Sequence, residues 1–170
     1  MAKSKTNSNI RPDIKKLKAL GLSAQKNQNL YKFEKPDKSL LESFDNVYHQ
    51  NESVITFHTT EGLQSLCPLT GQPDSCRNLW IQFIPDHKML ESKSLKLYMN
   101  GYRNFGCFHE EICHRILNDL YEFLHPKWIK VMAEYEPRGG YAIIPCVEKI
   151  RPGYQITIQI PNIPLSSHNH

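Results

Sequence analysis

The chain has no apolar run near the ~20 residues needed to cross a bilayer. With a mean hydropathy of −0.53 it reads as a soluble globular protein without a membrane span. It also lacks a secretory signal: the opening Met1-Ala-Lys-Ser-Lys-Thr-Asn-Ser-Asn9 is polar with no apolar stretch behind it, so a cytoplasmic protein is expected. There is no regular cysteine spacing. The five cysteines are an odd set, and without export they are expected as reduced thiols. Excess charge is small too. A net charge of +4 suits an anionic cofactor but is too small and dispersed to argue for nucleic acid by itself. No internal repeat or low-complexity tract interrupts the 170 residues, a length that suits one core.

Residues 1–36 are rich in Asn, Lys, Ser and Gln and read as a loosely attached polar extension. Ile14, Leu17, Leu20 and Leu22 hint at a short helical piece within it. The domain itself is expected over 37–170. Ser53–His58 alternates and is β-branched, and Leu79–Ile84 reads as a second strand ended by Pro85. The period then changes. Leu95, Tyr98, Met99 and Tyr102 mark an amphipathic helix. Phe108, Ile112, Ile116 and Leu120 mark a longer one, stopped by Pro126. Ile129–Tyr135 gives a third strand, Gly139-Gly140 a turn, Tyr141–Ile144 a fourth strand, and Ile156–Ile160 a further extended piece. Trp80 and Trp128 fall in strand patterns as core aromatics. The order is ββααββ: an α+β domain with an antiparallel sheet and two helices on one face. Its open edges and uncovered second face imply an oligomer.

Three short strings carry chemistry. In Cys67-Pro-Leu-Thr-Gly-Gln-Pro-Asp74 two prolines and a glycine make a rigid turn that can aim a thiol into a cleft. Asp74 can fold back toward Cys67 and, if buried, deliver protons. The same pair also suits a structural cysteine beside a turn-forming aspartate. Lys93 and Lys96, with Glu91, lie about the start of the first helix. Two ammonium groups beside free helix N–H groups make a phosphate site, or an ordinary solvated face. His109-Glu110 opens the second helix. Its carboxylate can accept two N–H bonds from a guanine-like edge while the imidazole moves a proton, or it can simply favour the helix dipole. Glu111 is expected to face solvent. Cys107, His109, Cys113 and His114 do not have a recognised zinc spacing, and no metal is expected.

Taken together, these strings resemble the NADPH-dependent 7-cyano-7-deazaguanine reductases in their single-module form. Glu91-Ser-Lys-Ser-Leu-Lys-Leu-Tyr98 satisfies every position of the family signature. Cys67–Asp74 looks like the nucleophile loop, Phe108-His-Glu110 like the substrate clamp, and Pro137-Arg-Gly-Gly140 like a further family segment. The likeness runs from about Val54 to Ile144. It implies the tunnelling fold, oligomerising into a barrel as a pentamer or decamer with active sites between subunits. It implies nitrile reduction to the aminomethyl product in tRNA queuosine biosynthesis, using two NADPH and a covalent thioimide on Cys67. It assigns proton delivery to Asp74 and His109, substrate binding to Leu90, Glu91, Ser92, His109 and Glu110, and cofactor phosphates to Lys93 and Lys96. Neither nucleic acid nor membrane is an expected partner. A zinc-dependent cyclohydrolase-like enzyme would need a closed Cys/His site. A nucleic-acid-binding module acting through residues 1–36 would leave Cys67, Asp74 and Glu110 without a purpose.

Overall fold

The computed structural model describes residues 35–59 and 61–165. The extension expected over residues 1–36, with its helical hint, lies outside the described residues except for Lys35 and Pro36. Five antiparallel strands form the main sheet: β2 (Ile55–Thr59), β3 (Leu63–Leu66), β4 (Pro73–Ile84), β6 (Trp128–Tyr135) and β7 (Cys146–Ile150). β4 is the spine. One of its edges pairs with β2 and with β3, the other with β6, and β7 follows on β6. Two three-residue strands, β1 (Ser43–Asp45) and β5 (Lys88–Leu90), pair as a separate ribbon.

Two helices, α1 (Ser92–Asn100) and α2 (His109–Leu124), pack on one face of the main sheet. Leu79, Ile81 and Phe83 of β4, with Ile129, Val131, Ala133 and Tyr135 of β6, meet Ile112, Ile116, Leu117, Leu120 and Leu124 of α2 in a single core. Burying each large apolar side chain stabilises the fold by about 1.5–3 kcal/mol. The Tyr98 hydroxyl donates to Asp119 at 2.7 Å and lies 2.8 Å from the Tyr102 hydroxyl, tying α1 to α2. α2 ends at His125, whose left-handed φ of 50° closes the last turn before Pro126.

The ββααββ core and the α+β class match the expected order, with several differences in detail. Leu63–Leu66 is a strand, and β4 starts at Pro73 rather than Leu79, so Asp74 lies in a strand instead of a loop. The strand expected at Tyr141–Ile144 begins only at Cys146. That segment runs beside β6 through Tyr135 N–H to Ile143 O and Ala133 N–H to Pro145 O, but Pro145 has no N–H to extend a ladder. The further extended piece expected over Ile156–Ile160 pairs in no strand, and just beyond it Gln82 Nε2 donates to Pro161 O at 3.0 Å. Phe108 stands at the N-cap of α2 and is half exposed, not on its apolar face. Trp80 and Trp128 are buried, but outside the helix-facing core; Trp80 stacks on His58 at 4.9 Å.

The spine strand has one irregularity, close to Asp74. Register shifts between Cys76 and Asn78 where β4 pairs with β6. This bulge reverses the alternation. Leu79, Ile81 and Phe83 face the helices, and so does Cys76, although strict alternation from Leu79 would turn every even-numbered residue away.

Candidate active site

The β3–β4 hairpin holds the thiol. Cys67 N–H donates to Gln72 O at 2.8 Å, and Gly71 N–H donates to Cys67 O at 2.9 Å. Gly71 takes a left-handed φ of 68°, which closes the turn at no cost in Cβ strain. Ser65 lies directly opposite Asp74. Cys67, two residues beyond Ser65, therefore falls on the same side of the hairpin as Asp74. Cys67 is partly exposed, and its thiol is held below the ordinary value by hydrogen bonds from the Thr70 hydroxyl and then the Thr70 and Leu69 amides, with Arg138 adding a smaller pull. A thiolate so favoured is a competent nucleophile.

The segment before α2 is anchored to the same hairpin. Leu66 N–H donates to Phe105 O at 3.1 Å and Cys107 N–H to Leu66 O at 3.0 Å. At Gly106 a Cβ would lie 3.3 Å from Pro68 Cα, so glycine lets this stretch of chain run close to the nucleophile loop. The contact sets His109, the first residue of α2, over the hairpin. His109 Nε2 lies 3.2 Å from Asp74 Oδ2. Its ring stacks on Tyr135 with centroids 3.8 Å apart and planes 15° from parallel. Burial lowers the imidazole's pKa, opposed by the Glu110 carboxylate. A neutral ring protonated on Nε2 can donate to Asp74. Asp74 is 3% exposed. Its other oxygen, Oδ1, meets the Arg138 guanidinium. Glu110 follows His109 at the exposed start of α2, while Glu111 pairs with Arg115 at 3.0 Å.

The signature octapeptide has a different environment. Leu90 is buried in β5 opposite Ser43. Glu91 is the N-cap of α1: its carboxylate accepts from Lys93 N–H at 2.8 Å and Ser94 N–H at 2.6 Å. This corrects the expectation that free N–H groups at that helix start would bind phosphate, because a carboxylate already occupies two of them. Ser92 and Lys96 line a cleft of about 430 Å³ between α1, β2 and β3. Phe57, Leu63, Leu79, Leu95 and Met99 wall it, and Arg103 adds a second cation. Lys96 is exposed, with Glu61 at 3.8 Å. Lys93 is half-buried on the first turn of α1. Within one chain Asp74 and His109 are in contact beside the loop that carries Cys67, and the residues lining this cleft include none of the three.

Sequence reading assigned no role to Thr70, Tyr135 or Arg138. Tyr135 was visible as the inward end of an alternating strand, and Arg138 as the residue before a Gly-Gly pair; neither signal says what the side chain meets. Of the other cysteines, Cys76, Cys107 and Cys113 are buried and Cys146 is exposed. Cys76 is pushed up to about 12 and Cys107 to about 11 by burial, which disfavours redox chemistry at either. Among the described residues, no group of three or more His, Cys, Asp or Glu side chains is placed to hold a metal ion.

The fold and this group define a class: an α+β enzyme whose thiol, buried acid and imidazole suit covalent catalysis. Residues 73–154 match the family model described as QueF-like protein. The chain is 42% identical to the NADPH-dependent 7-cyano-7-deazaguanine reductase of Bacillus cytotoxicus over 83% of its own length and 81% of that protein's. The reductase of the same name from Staphylococcus aureus strain Newman is 46% identical, over 73% of each chain. That of Bacteroides thetaiotaomicron is 46% identical over 67% of this chain and 74% of the relative. The chain belongs to the family of NADPH-dependent 7-cyano-7-deazaguanine reductases. Its fold is also that of a solved archaeosine synthase QueF-Like in the apo form, with a TM-score of 0.52 and 22% identity over 58% of this chain and 94% of that one. The likeness agrees with the tunnelling fold expected from the sequence.

Proposed function

We propose that the chain reduces the nitrile of 7-cyano-7-deazaguanine to the aminomethyl group with NADPH, as a step of queuosine biosynthesis in the cytoplasm. The observation that carries this reading is the Asp74–His109 contact on the face of the hairpin that presents Cys67. Addition of the Cys67 sulfur to the nitrile carbon, with a proton passing from Asp74 to nitrogen, gives a thioimide whose C=N can accept hydride. His109 orients Asp74 and relays the proton. Glu110, exposed at the start of α2, is free to accept two N–H bonds from the deazaguanine edge. The Leu90–Ser92 segment supports the substrate through the position of α1 rather than through the Glu91 carboxylate, which caps that helix.

NADPH supplies the hydride, two equivalents for each nitrile. The α1 cleft fits part of a dinucleotide, with apolar walls for a ring and Lys96 and Arg103 for phosphate; Lys93 stands nearby on the first turn. Because the thiol group and this cleft are separate within one chain, the complete site forms between subunits of a pentamer or decamer. The outer strands β2 and β7 offer the edges for that assembly.

The test is direct. Mixing the chain with the nitrile and NADPH should oxidise two NADPH per nitrile, with the aminomethyl product identified by mass. No nitrile-dependent oxidation of NADPH would overturn the reading.

A further inference from the structure

We infer that the tail after β7 is a strap that seats β2 through Glu52 and Gln82, and that Glu52 is thereby a positioning residue for one wall of the α1 cleft. The inference rests on the reading proposed above, in which that cleft takes NADPH.

The outer strand needs such support. Among the described residues β2 pairs with β4 alone, and a strand bonded on one side opens more readily than a central one. Three of its residues, Phe57, His58 and Thr59, nevertheless line the cleft. Phe57 stacks on Phe83 at 6.2 Å, which sets its ring toward the helix-facing core. Thr56, the preceding residue, therefore points to the other face of the sheet.

The tail holds β2 at two points. Glu52 stands three residues ahead of the strand, and its side chain is 21% exposed. One carboxylate oxygen accepts from the Tyr154 hydroxyl at 2.7 Å, and the other accepts from the Thr157 hydroxyl. Lys127, just ahead of β6, adds its ammonium at 3.4 Å. The two hydroxyls hold the Glu52 carboxyl below its ordinary range, so at neutral pH an anion faces three donors. The second point is Gln82, 1% exposed within β4. Its amide nitrogen donates to Thr56 Oγ1 at 3.3 Å and to Pro161 O at 3.0 Å. An amide NH2 carries two hydrogens, so both bonds stand at once. One side chain thus ties β2 and the tail to the same place on β4.

The root of the strap is fixed as well. Arg151 N–H donates to Lys127 O at 3.0 Å, and its guanidinium donates to Asp86 at 2.8 Å. Gly153, with φ of 79°, turns the chain so that Tyr154 N–H returns to Arg151 O at 3.0 Å. Past Tyr154, residues 155–165 contain no helix or strand. Among the described residues, no backbone–backbone hydrogen bond holds them. Their course depends on the Thr157 hydroxyl and the Pro161 carbonyl. Gln82 lies eight residues along β4 from Asp74, roughly 25 Å at the usual strand rise. Loosening β2 at this end should leave the chemistry at the nucleophile loop untouched.

The experiment removes the two hydroxyls and reads β2. In Tyr154→Phe/Thr157→Val, hydrogen exchange of the peptide spanning β2, followed by mass spectrometry on the full chain, should speed by about tenfold, as for loss of two bonds to a charged group. The NADPH KM should rise by roughly threefold, because fewer molecules present the complete cleft wall. The kcat, and the rate of thioimide formation without NADPH, should not change. Tyr154→Phe/Thr157→Ser keeps one hydroxyl and should recover part of both effects. Unaltered β2 exchange, or faster exchange with an unmoved KM, overturns the inference. A thioimide step slowed along with the rest also overturns it, since the strap would then support the fold as a whole. If wild-type chain oxidises no NADPH with the nitrile, the functional reading itself fails; faster β2 exchange in the variant then leaves the strap standing and removes its part in cofactor binding. Both replacements keep the side chain's shape at half-buried or exposed positions, so the variants should fold, and unchanged exchange in α2 reports that directly.

Discussion

Two parts of the molecule carry functional side chains in opposite ways. Around Asp74 the carboxylate, imidazole and tyrosine are buried and mutually held: His109 lies against Asp74 and stacks on the Tyr135 ring, with the more exposed Arg138 at the rim. Along α1 the polar ends reach outward. Lys96 is 56% exposed beside a still more exposed Glu61, over a cleft with apolar walls. The first arrangement is preorganised for chemistry, where a small misplacement is costly. The second is an apolar cleft with cations at its open rim.

The contrast can be broken at its strongest point first. Cys67→Ala should form no covalent adduct with the nitrile, seen as an unshifted protein mass, and turnover should fall by ~10³-fold or more. An adduct in that variant would remove Cys67 from the mechanism. Lys96→Ala should act only on the other side. The NADPH KM should rise by roughly tenfold, as for loss of one charge-assisted phosphate contact, with adduct formation unchanged. A raised nitrile KM alone would contradict the division. The smallest effect is expected at Thr70. Its hydroxyl is the main group holding the Cys67 thiol below its usual range, so Thr70→Val should move the inflection of Cys67 alkylation by iodoacetamide to higher pH. At a fixed pH below that inflection, less thiolate is present and alkylation slows. An unmoved inflection would mean the amide groups suffice.

The helices were legible because their apolar positions repeat with helical spacing over two turns or more, as at Ile112, Ile116 and Leu120. Ser43–Asp45 and Lys88–Leu90 were not, since three residues cannot display alternation. The nucleophile loop stood out through its two prolines and glycine, but the role of Glu91 did not. A carboxylate ahead of a helix reads the same whether it awaits a ligand or caps its own first turn. Arg138 escaped because a Gly-Gly turn announces a reversal of the chain without saying where the preceding side chain lands.

The bulge at Arg77 has an evolutionary side. It gives β4 one residue more than β6 can match, since Cys76 and Asn78 already lie against the adjacent pair Tyr135 and Glu134. A relative lacking that codon would have a regular strand with Asp74 and Cys76 still on the helix side. Ironing the strand flat with every residue kept would instead send both to the far surface, away from His109. Codon losses within this strand should therefore be tolerated at position 77 before anywhere in Leu79–Ile84, where the same loss would turn Leu79 out of the core.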